Sequence, residues 1–212
     1  MPLKPGELDL GTTIIAAEFK DGVVMGADTR ATMGSYISTR NANKITQLHE
    51  KIHLCRSGSS SDTQAISDIV KYYLQLYSIV NEEPTTLTAA ELMRELNYNN
   101  KEVLSAAFIV AGWDKHSGGN VYILPLGGTL HKAPFAITGS GSTYIYGYCD
   151  SLYRKNMEKE EALNFLKNAL ALAMSRDGSS GGSIRMAVIT EEGVERLYIH
   201  NKDIPEYNDL EN

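Results

Sequence analysis

Apolar and polar positions set the elements. Residues 13–19 form a β-branched, apolar run that reads as a strand. Lys20, Asp21 and Gly22 follow as a turn with an Asp-Gly hairpin signal. Residues 23–27 return as a second strand, apolar along its length and so expected to be buried on both faces. Its end delivers Asp28, Thr29 and Arg30. Residues 31–43 are polar and read as a loop. Residues 44–48 and 52–55 read as two short strands around the turn His49-Glu50-Lys51.

Residues 56–60 form a second loop, which leads into a helix. Ser61 with Gln64 fits a capping box. Ile66, Ile69, Val70, Tyr73, Leu74 and Tyr77 then recur at helical spacing as one apolar stripe. A second helix is expected to open at Thr88, with Glu91 completing another box and Leu92 and Leu96 facing inward. Strands return at 106–113 and 121–126 around a polar turn, and again at 133–138, which ends in Gly139-Ser140-Gly141-Ser142. A third helix is expected over 157–174, with Glu158, Glu160 and Glu161 near its positive N-terminal end. Residues 176–182 are a loop rich in glycine and serine. Residues 184–190 and 194–199 close the chain as a hairpin, and an acidic tail follows.

The order is strands, two helices, strands, one helix, strands. Hairpins dominate, which favours helices covering a pair of packed antiparallel sheets, an α+β arrangement, over a doubly wound parallel sheet. With 212 residues, 42% of them hydrophobic, the chain suits one large domain with a sizeable core. A net charge of -6 leaves no basic footprint for nucleic acid. It also gives no attraction to anionic lipid, and no apolar run is long enough to span a bilayer. Cys55 and Cys149 are too few for a disulfide framework and suit a reducing compartment. The first eleven residues lack the apolar centre of a secretory signal. A cytoplasmic or nuclear protein is expected.

Three motifs fail on context. His49-Glu50-Lys51-Ile52-His53 matches H-E-x-x-H, but zinc-peptidase chemistry needs a helix to put both imidazoles on one face. Here the match falls across a turn between two strands, and no metal site is expected. Gly178-Ser179-Ser180-Gly181-Gly182 matches G-x-S-x-G, yet the order is helix then strand, the reverse of a hydrolase elbow. Gly139-Ser140-Gly141-Ser142 lacks the last glycine of a dinucleotide fingerprint, since Tyr144 stands there.

The stretch around which the chemistry is organised is Gly11-Thr12-Thr13. The ten residues before it are too few and too polar to fold, and they read as a removable leader. Cleavage after Gly11 would give Thr12 a free α-amine beside its own hydroxyl, pairing nucleophile and base in one residue. Taken singly, Thr12 and Thr13 are ordinary strand residues. Lys44 alone is a solvated lysine, and Asp28 with Arg30 is an ion pair at a strand end. The ordered set changes that reading.

Gly11-Thr12-Thr13, Gly26-Ala27-Asp28-Thr29-Arg30, Lys44, Ser57-Gly58-Ser59, Gly139-Ser140-Gly141-Ser142 and residues 176–182 together resemble a proteasome core β-type subunit. The resemblance covers nearly the whole chain from Gly11 to about Ile199. It implies the N-terminal-nucleophile hydrolase fold, a four-layer αββα sandwich, with residues 1–11 as propeptide and 12–212 as one peptidase domain.

The resemblance also implies roles. Thr12 is the nucleophile, and its own amine, through water, handles the proton. Lys44 as a cation favours the ionised hydroxyl, and Asp28 holds Lys44 in place. Arg30 supports the same loop. The Gly58 N–H supplies an oxyanion hole. Asp177, Ser180 and Ser140 orient the terminal amine. The leader is removed by attack of Thr12 on the Gly11 carbonyl, where a glycine leaves the backbone free to bend. Arg56, with Thr46, Ser60, Ala31 and Ala42, would line a pocket that takes an acidic side chain. That pocket resembles the caspase-like subtype of the family. No cofactor is implied. The implied partners are other α and β subunits in stacked seven-membered rings, and unfolded polypeptide substrates. The competing reading is a structural ring subunit with the same fold and no chemistry.

Overall fold

The computed structural model describes residues 11–207. The expected leader, Gly11 apart, and the end of the acidic tail lie outside the described residues. In chain order the elements are β1 (Ile14–Phe19), β2 (Gly22–Asp28), β3 (Ala31–Met33), β4 (Tyr36–Thr39), β5 (Ile45–His49) and β6 (Ile52–Gly58). Then come α1 (Ser60–Val80), α2 (Thr86–Asn99), β7 (Ala106–Asp114), β8 (Gly118–Leu124), β9 (His131–Lys132) and β10 (Phe135–Thr138). The chain continues with α3 (Tyr146–Leu152), α4 (Lys159–Arg176), β11 (Ile184–Thr190) and β12 (Gly193–Ile199).

Two five-stranded antiparallel sheets result. One has the order β10-β1-β2-β11-β12, the other β5-β6-β7-β8-β9. Successive residues of a strand point to opposite faces, so the apolar run of β1 feeds two cores. Ile14 and Ala16 face the second sheet, among Met25, Ile109 and Val121. Ile15 and Ala17 face α4, among Val24, Leu166 and Leu170. On the other flank, Ile66, Val70, Leu74 and Met93 of α1 and α2 pack on Leu54, Phe108 and Val110. The layers therefore run helix, sheet, sheet, helix, the αββα sandwich expected. β2 is buried along its whole length, as its composition predicts. Among the described residues no helix is long and apolar enough to cross a membrane.

Several expectations need correction. Residues 31–43 are not simply a loop, because β3 and β4 pair there as a small hairpin. The first hairpin turns on Lys20-Asp21, since Gly22 already pairs with Phe19. β6 runs through Arg56 to Gly58, which pairs with Ala106. α1 is capped by Ser59, whose side chain accepts from the Asp62 N–H, so Ser61 and Gln64 form no box. α2 is capped by Thr85 rather than Thr88, and Glu91 instead pairs with Arg94 one turn on. Of the α1 stripe, Ile66, Val70 and Leu74 are buried, while Ile69, Tyr73 and Tyr77 lie on the open side. α3 went unread. It is short and holds a glycine, so packing rather than propensity makes it. Tyr148 stacks on Phe165 of α4 with ring centroids 5.8 Å apart, and Cys149 is buried in the same core.

The H-E-x-x-H match does straddle the β5–β6 turn. His53 is buried on β6 opposite Gln47, and His49 closes β5. Both cysteines are free and buried in different layers, Cys55 between the sheets and Cys149 under α4.

Candidate active site

The N-terminal end of β1 meets the C-terminal ends of β2 and β10, with Ile14 opposite Ala27 and Thr138. The loop after α4 closes over this junction. Thr29 N–H and Arg30 N–H both donate to the Gly181 carbonyl, at 3.1 and 2.9 Å. Residues far apart in sequence converge here because antiparallel pairing returns each strand end to the same edge.

Thr12 sits at that edge and is buried. Its N–H donates to Ser140 Oγ at 3.1 Å, and its carbonyl accepts from Gly141 N–H at 3.3 Å. Its hydroxyl donates to the Gly11 carbonyl oxygen at 2.7 Å. Ser140 Oγ donates in turn to Asp177 Oδ2 at 2.6 Å. Ser180 Oγ donates to the same oxygen at 2.6 Å and meets Thr13 Oγ1 at 2.7 Å. Asp177 and Ser180 thus act on Thr12 through Ser140 and Thr13. Only Ser140 of the three touches the Thr12 nitrogen, a narrower arrangement than the sequence predicts.

Asp28 is fully buried and fully used. Oδ1 accepts from Thr13 N–H at 2.9 Å and from Lys44 Nζ at 2.6 Å. Oδ2 accepts from Arg30 N–H at 3.1 Å and Gly181 N–H at 3.0 Å. Four donors satisfy a charge that burial would otherwise penalise heavily. Lys44 Nζ also lies 3.5 Å from the Gly11 carbonyl oxygen. It therefore reaches the Thr12 hydroxyl by way of that carbonyl. Burial pushes the Lys44 ammonium below the usual lysine range, while the Asp28 carboxylate opposes the shift. Arg30 Nη1 donates to the Gly178 carbonyl at 2.8 Å, which ties the end of β2 to the loop after α4.

Gly11 stands where a side chain has no room. A Cβ there would stand 1.9 Å from Ser179 Cβ and 2.6 Å from the Ser179 carbonyl oxygen. Its N–H donates to Thr32 Oγ1 at 3.0 Å. Gly58 does need glycine's freedom, with φ of 102° at the end of β6 and a Cβ position 2.4 Å from the Ser105 carbonyl oxygen.

Arg56 lies half-buried on β6, beside the site. Its backbone N–H donates to the Lys44 carbonyl at 3.0 Å. Its guanidinium donates to Gln64 Oε1 at 3.2 Å and to the Asn43 carbonyl at 3.1 Å. Gln64 and Asn43, rather than Thr46 and Ser60, are the polar groups that hold it. Thr46 stands on β5 opposite Leu54, and Ser60 is exposed at the start of α1. Ala31 opens β3, and Ala42 N–H donates to the Thr29 carbonyl at 2.9 Å. Sequence reading missed Thr13, Thr32, Gln64 and Ser179 as members of the site. Thr13 and Ser179 stood inside stretches that carry the resemblance, Gln64 carried a helix-cap signal instead, and Thr32 carried none. Among the described residues no group of three histidine, cysteine or acidic side chains is placed to hold a metal ion.

A hydroxyl against a carbonyl, a buried lysine–carboxylate pair and a serine–aspartate network around one backbone nitrogen form an arrangement with the chemical means for acyl transfer. A family model described as "Proteasome subunit" matches residues 8–189. A Dictyostelium discoideum protein called proteasome subunit beta type-6 is 57% identical over 94% of this chain and 94% of its own. Proteasome subunit beta type-1 of Saccharomyces cerevisiae is 56% identical over 93% and 92%. Proteasome subunit beta type-9 of Oncorhynchus mykiss is 48% identical over 98% and 97%.

Proposed function

The chain belongs to the proteasome β-subunit family, and from that premise we propose that it is a catalytic member, a threonine endopeptidase that frees its own nucleophile and prefers to cleave after acidic residues. The observation that carries the reading is the Thr12 hydroxyl, 2.7 Å from the carbonyl oxygen of the residue before it. Lys44 approaches the same oxygen.

Maturation follows from that geometry. Thr12 Oγ adds to the Gly11 carbonyl carbon and gives up its proton. The negative charge that develops on the Gly11 oxygen faces the Lys44 ammonium. The carbon–nitrogen bond then breaks, the Thr12 nitrogen takes a proton, and an ester joins Gly11 to Thr12 Oγ. Water cleaves that ester, releasing a leader that ends in the Gly11 carboxylate and leaving Thr12 with a free amine. Peptide substrates undergo the same addition, with the Thr12 amine and water handling the proton. Ser140 is positioned to hold that amine, and Asp177 to hold Ser140.

The acidic preference rests on Arg56, whose guanidinium offers charge-assisted, fork-shaped contact to a carboxylate. Assembly with other proteasome subunits is implied by the relatives. Seven-membered β rings between α rings, in cytoplasm and nucleus, complete the proposal.

The test is the intact mass of this chain from assembled particles, paired with hydrolysis of fluorogenic peptides bearing aspartate, leucine or arginine before the cleaved bond. Loss of Met1 to Gly11 in wild type and its retention in Thr12→Ala are expected, with aspartate peptides cut fastest. A wild-type chain that keeps its leader after assembly would replace this proposal with the structural-subunit reading.

A further inference from the structure

We infer that Thr32 is a positioning residue for removal of the leader: its hydroxyl anchors the Gly11 N–H and so aims the Gly11 carbonyl at Thr12. The inference rests on the reading that the chain cuts itself between Gly11 and Thr12. Two independent observations carry it. The Gly11 N–H donates to Thr32 Oγ1 at 3.0 Å in a buried setting. The pairing of β3 with β4 also shifts register between Ala31 and Thr32, and irregularities of that kind re-aim side chains next to active sites.

Gly11 has no side chain with which to fix itself. Its carbonyl is gripped by the Thr12 hydroxyl at 2.7 Å and approached by Lys44 at 3.5 Å. Its α-carbon abuts Ser179. The Thr12 nitrogen on the far side of that carbonyl is held by Ser140 at 3.1 Å, so a hold on the Gly11 nitrogen brackets the carbonyl from both sides and limits how its planar peptide can tilt. A buried N–H also requires an acceptor, and the Thr32 hydroxyl is that acceptor. The Gly11 N–H bond is not broken in the reaction. The same anchor therefore serves the planar carbonyl and the tetrahedral intermediate alike.

The test follows leader loss over time, by intact mass, in assembled particles carrying Thr32→Val, Thr32→Ala or Thr32→Ser. Valine keeps the shape and loses the acceptor, alanine tests the same loss should valine not assemble, and serine restores the hydroxyl. Valine and alanine are expected to slow leader loss by roughly five- to tenfold, the rate equivalent of one hydrogen bond, with serine close to wild type. Wild-type rates in valine and alanine would overturn the inference, and so would a serine variant as slow as valine, because a hydroxyl at this position would then not restore the rate. Wild-type particles that never lose the leader would instead bring down the self-cleavage reading on which it rests.

Discussion

Replacing Gly11 by alanine puts one methyl group where the structure has no room. The new Cβ would lie 1.9 Å from Ser179 Cβ, 2.6 Å from the Ser179 carbonyl oxygen and 2.7 Å from its carbon. Carbon atoms rest at about 3.5 Å or more. The Gly11 α-carbon must therefore retreat, or the Ser179 segment must yield, by about 1.5 Å in all. The Ser179 segment is pinned, since its N–H donates to Asp177 and the following residues hold Asp28 and Thr13. Most of the shift falls on Gly11, and its carbonyl carbon moves with it, away from Thr12 Oγ. A misplacement of about 1 Å in a reacting pair costs on the order of a hundredfold in rate. The overpacking itself costs about 1–3 kcal/mol, which a folded domain of this size survives. Gly11→Ala particles should assemble and keep their leader long after wild-type particles have lost it, as read by intact mass over time. Adding Ser179→Gly removes the side-chain clash and leaves the two backbone clashes, so the double variant should remain slow. Leader loss at the wild-type rate in Gly11→Ala would refute the reasoning, and full rescue by Ser179→Gly would refute the part assigned to the backbone.

Other outcomes follow from the same contacts. Asp28→Ala strands the buried Lys44 ammonium, a loss of about 3–5 kcal/mol for one partner of a buried pair; a lower unfolding midpoint and no hydrolysis of any peptide are expected, and an active variant would show that Lys44 needs no carboxylate to hold it. Arg56→Glu should cut hydrolysis after aspartate by at least about tenfold while Thr12 stays reactive to an electrophilic peptide probe; an unchanged preference would sink the pocket assignment. Burial, aided by Arg196, pulls the His53 imidazole from its ordinary 6.5 down to about 4. Because the unfolded chain binds that proton more readily, stability should fall as pH drops from 6.5 to 4, by about 3 kcal/mol in all, and His53→Gln should flatten that slope in urea titrations. Chelators should leave peptide hydrolysis unchanged, and loss of activity would reopen the H-E-x-x-H reading.

What was legible in the sequence was whatever a short window contains. Val23 to Ala27 announces a doubly buried strand because every position is apolar or small, and β2 is buried throughout. Asp28 and Lys44 were readable only as members of a spaced set, and the structure joins them at 2.6 Å. Helix starts were misjudged where two serines or two threonines competed, at Ser59 against Ser61 and Thr85 against Thr88. A capping pattern does not say which hydroxyl faces the free N–H groups. Gln64 looked like half of a box, yet its side chain crosses to Arg56 on β6, a contact no local pattern encodes. The crowding at Gly11 is illegible for the same reason, since the group that excludes a side chain there, Ser179, is remote in sequence.

The span of the Thr13–Ser180 bond has a consequence for the life of the protein before it folds. Its two hydroxyls are 167 residues apart. At about 5–20 residues per second, a ribosome takes on the order of ten to thirty seconds to add the later one after the earlier. Through that interval the nascent chain carries Thr12 without Asp177, without Ser180 and without the Gly181 N–H that steadies Asp28. Synthesis order alone thus keeps the surroundings of Thr12 incomplete until the polypeptide is almost finished.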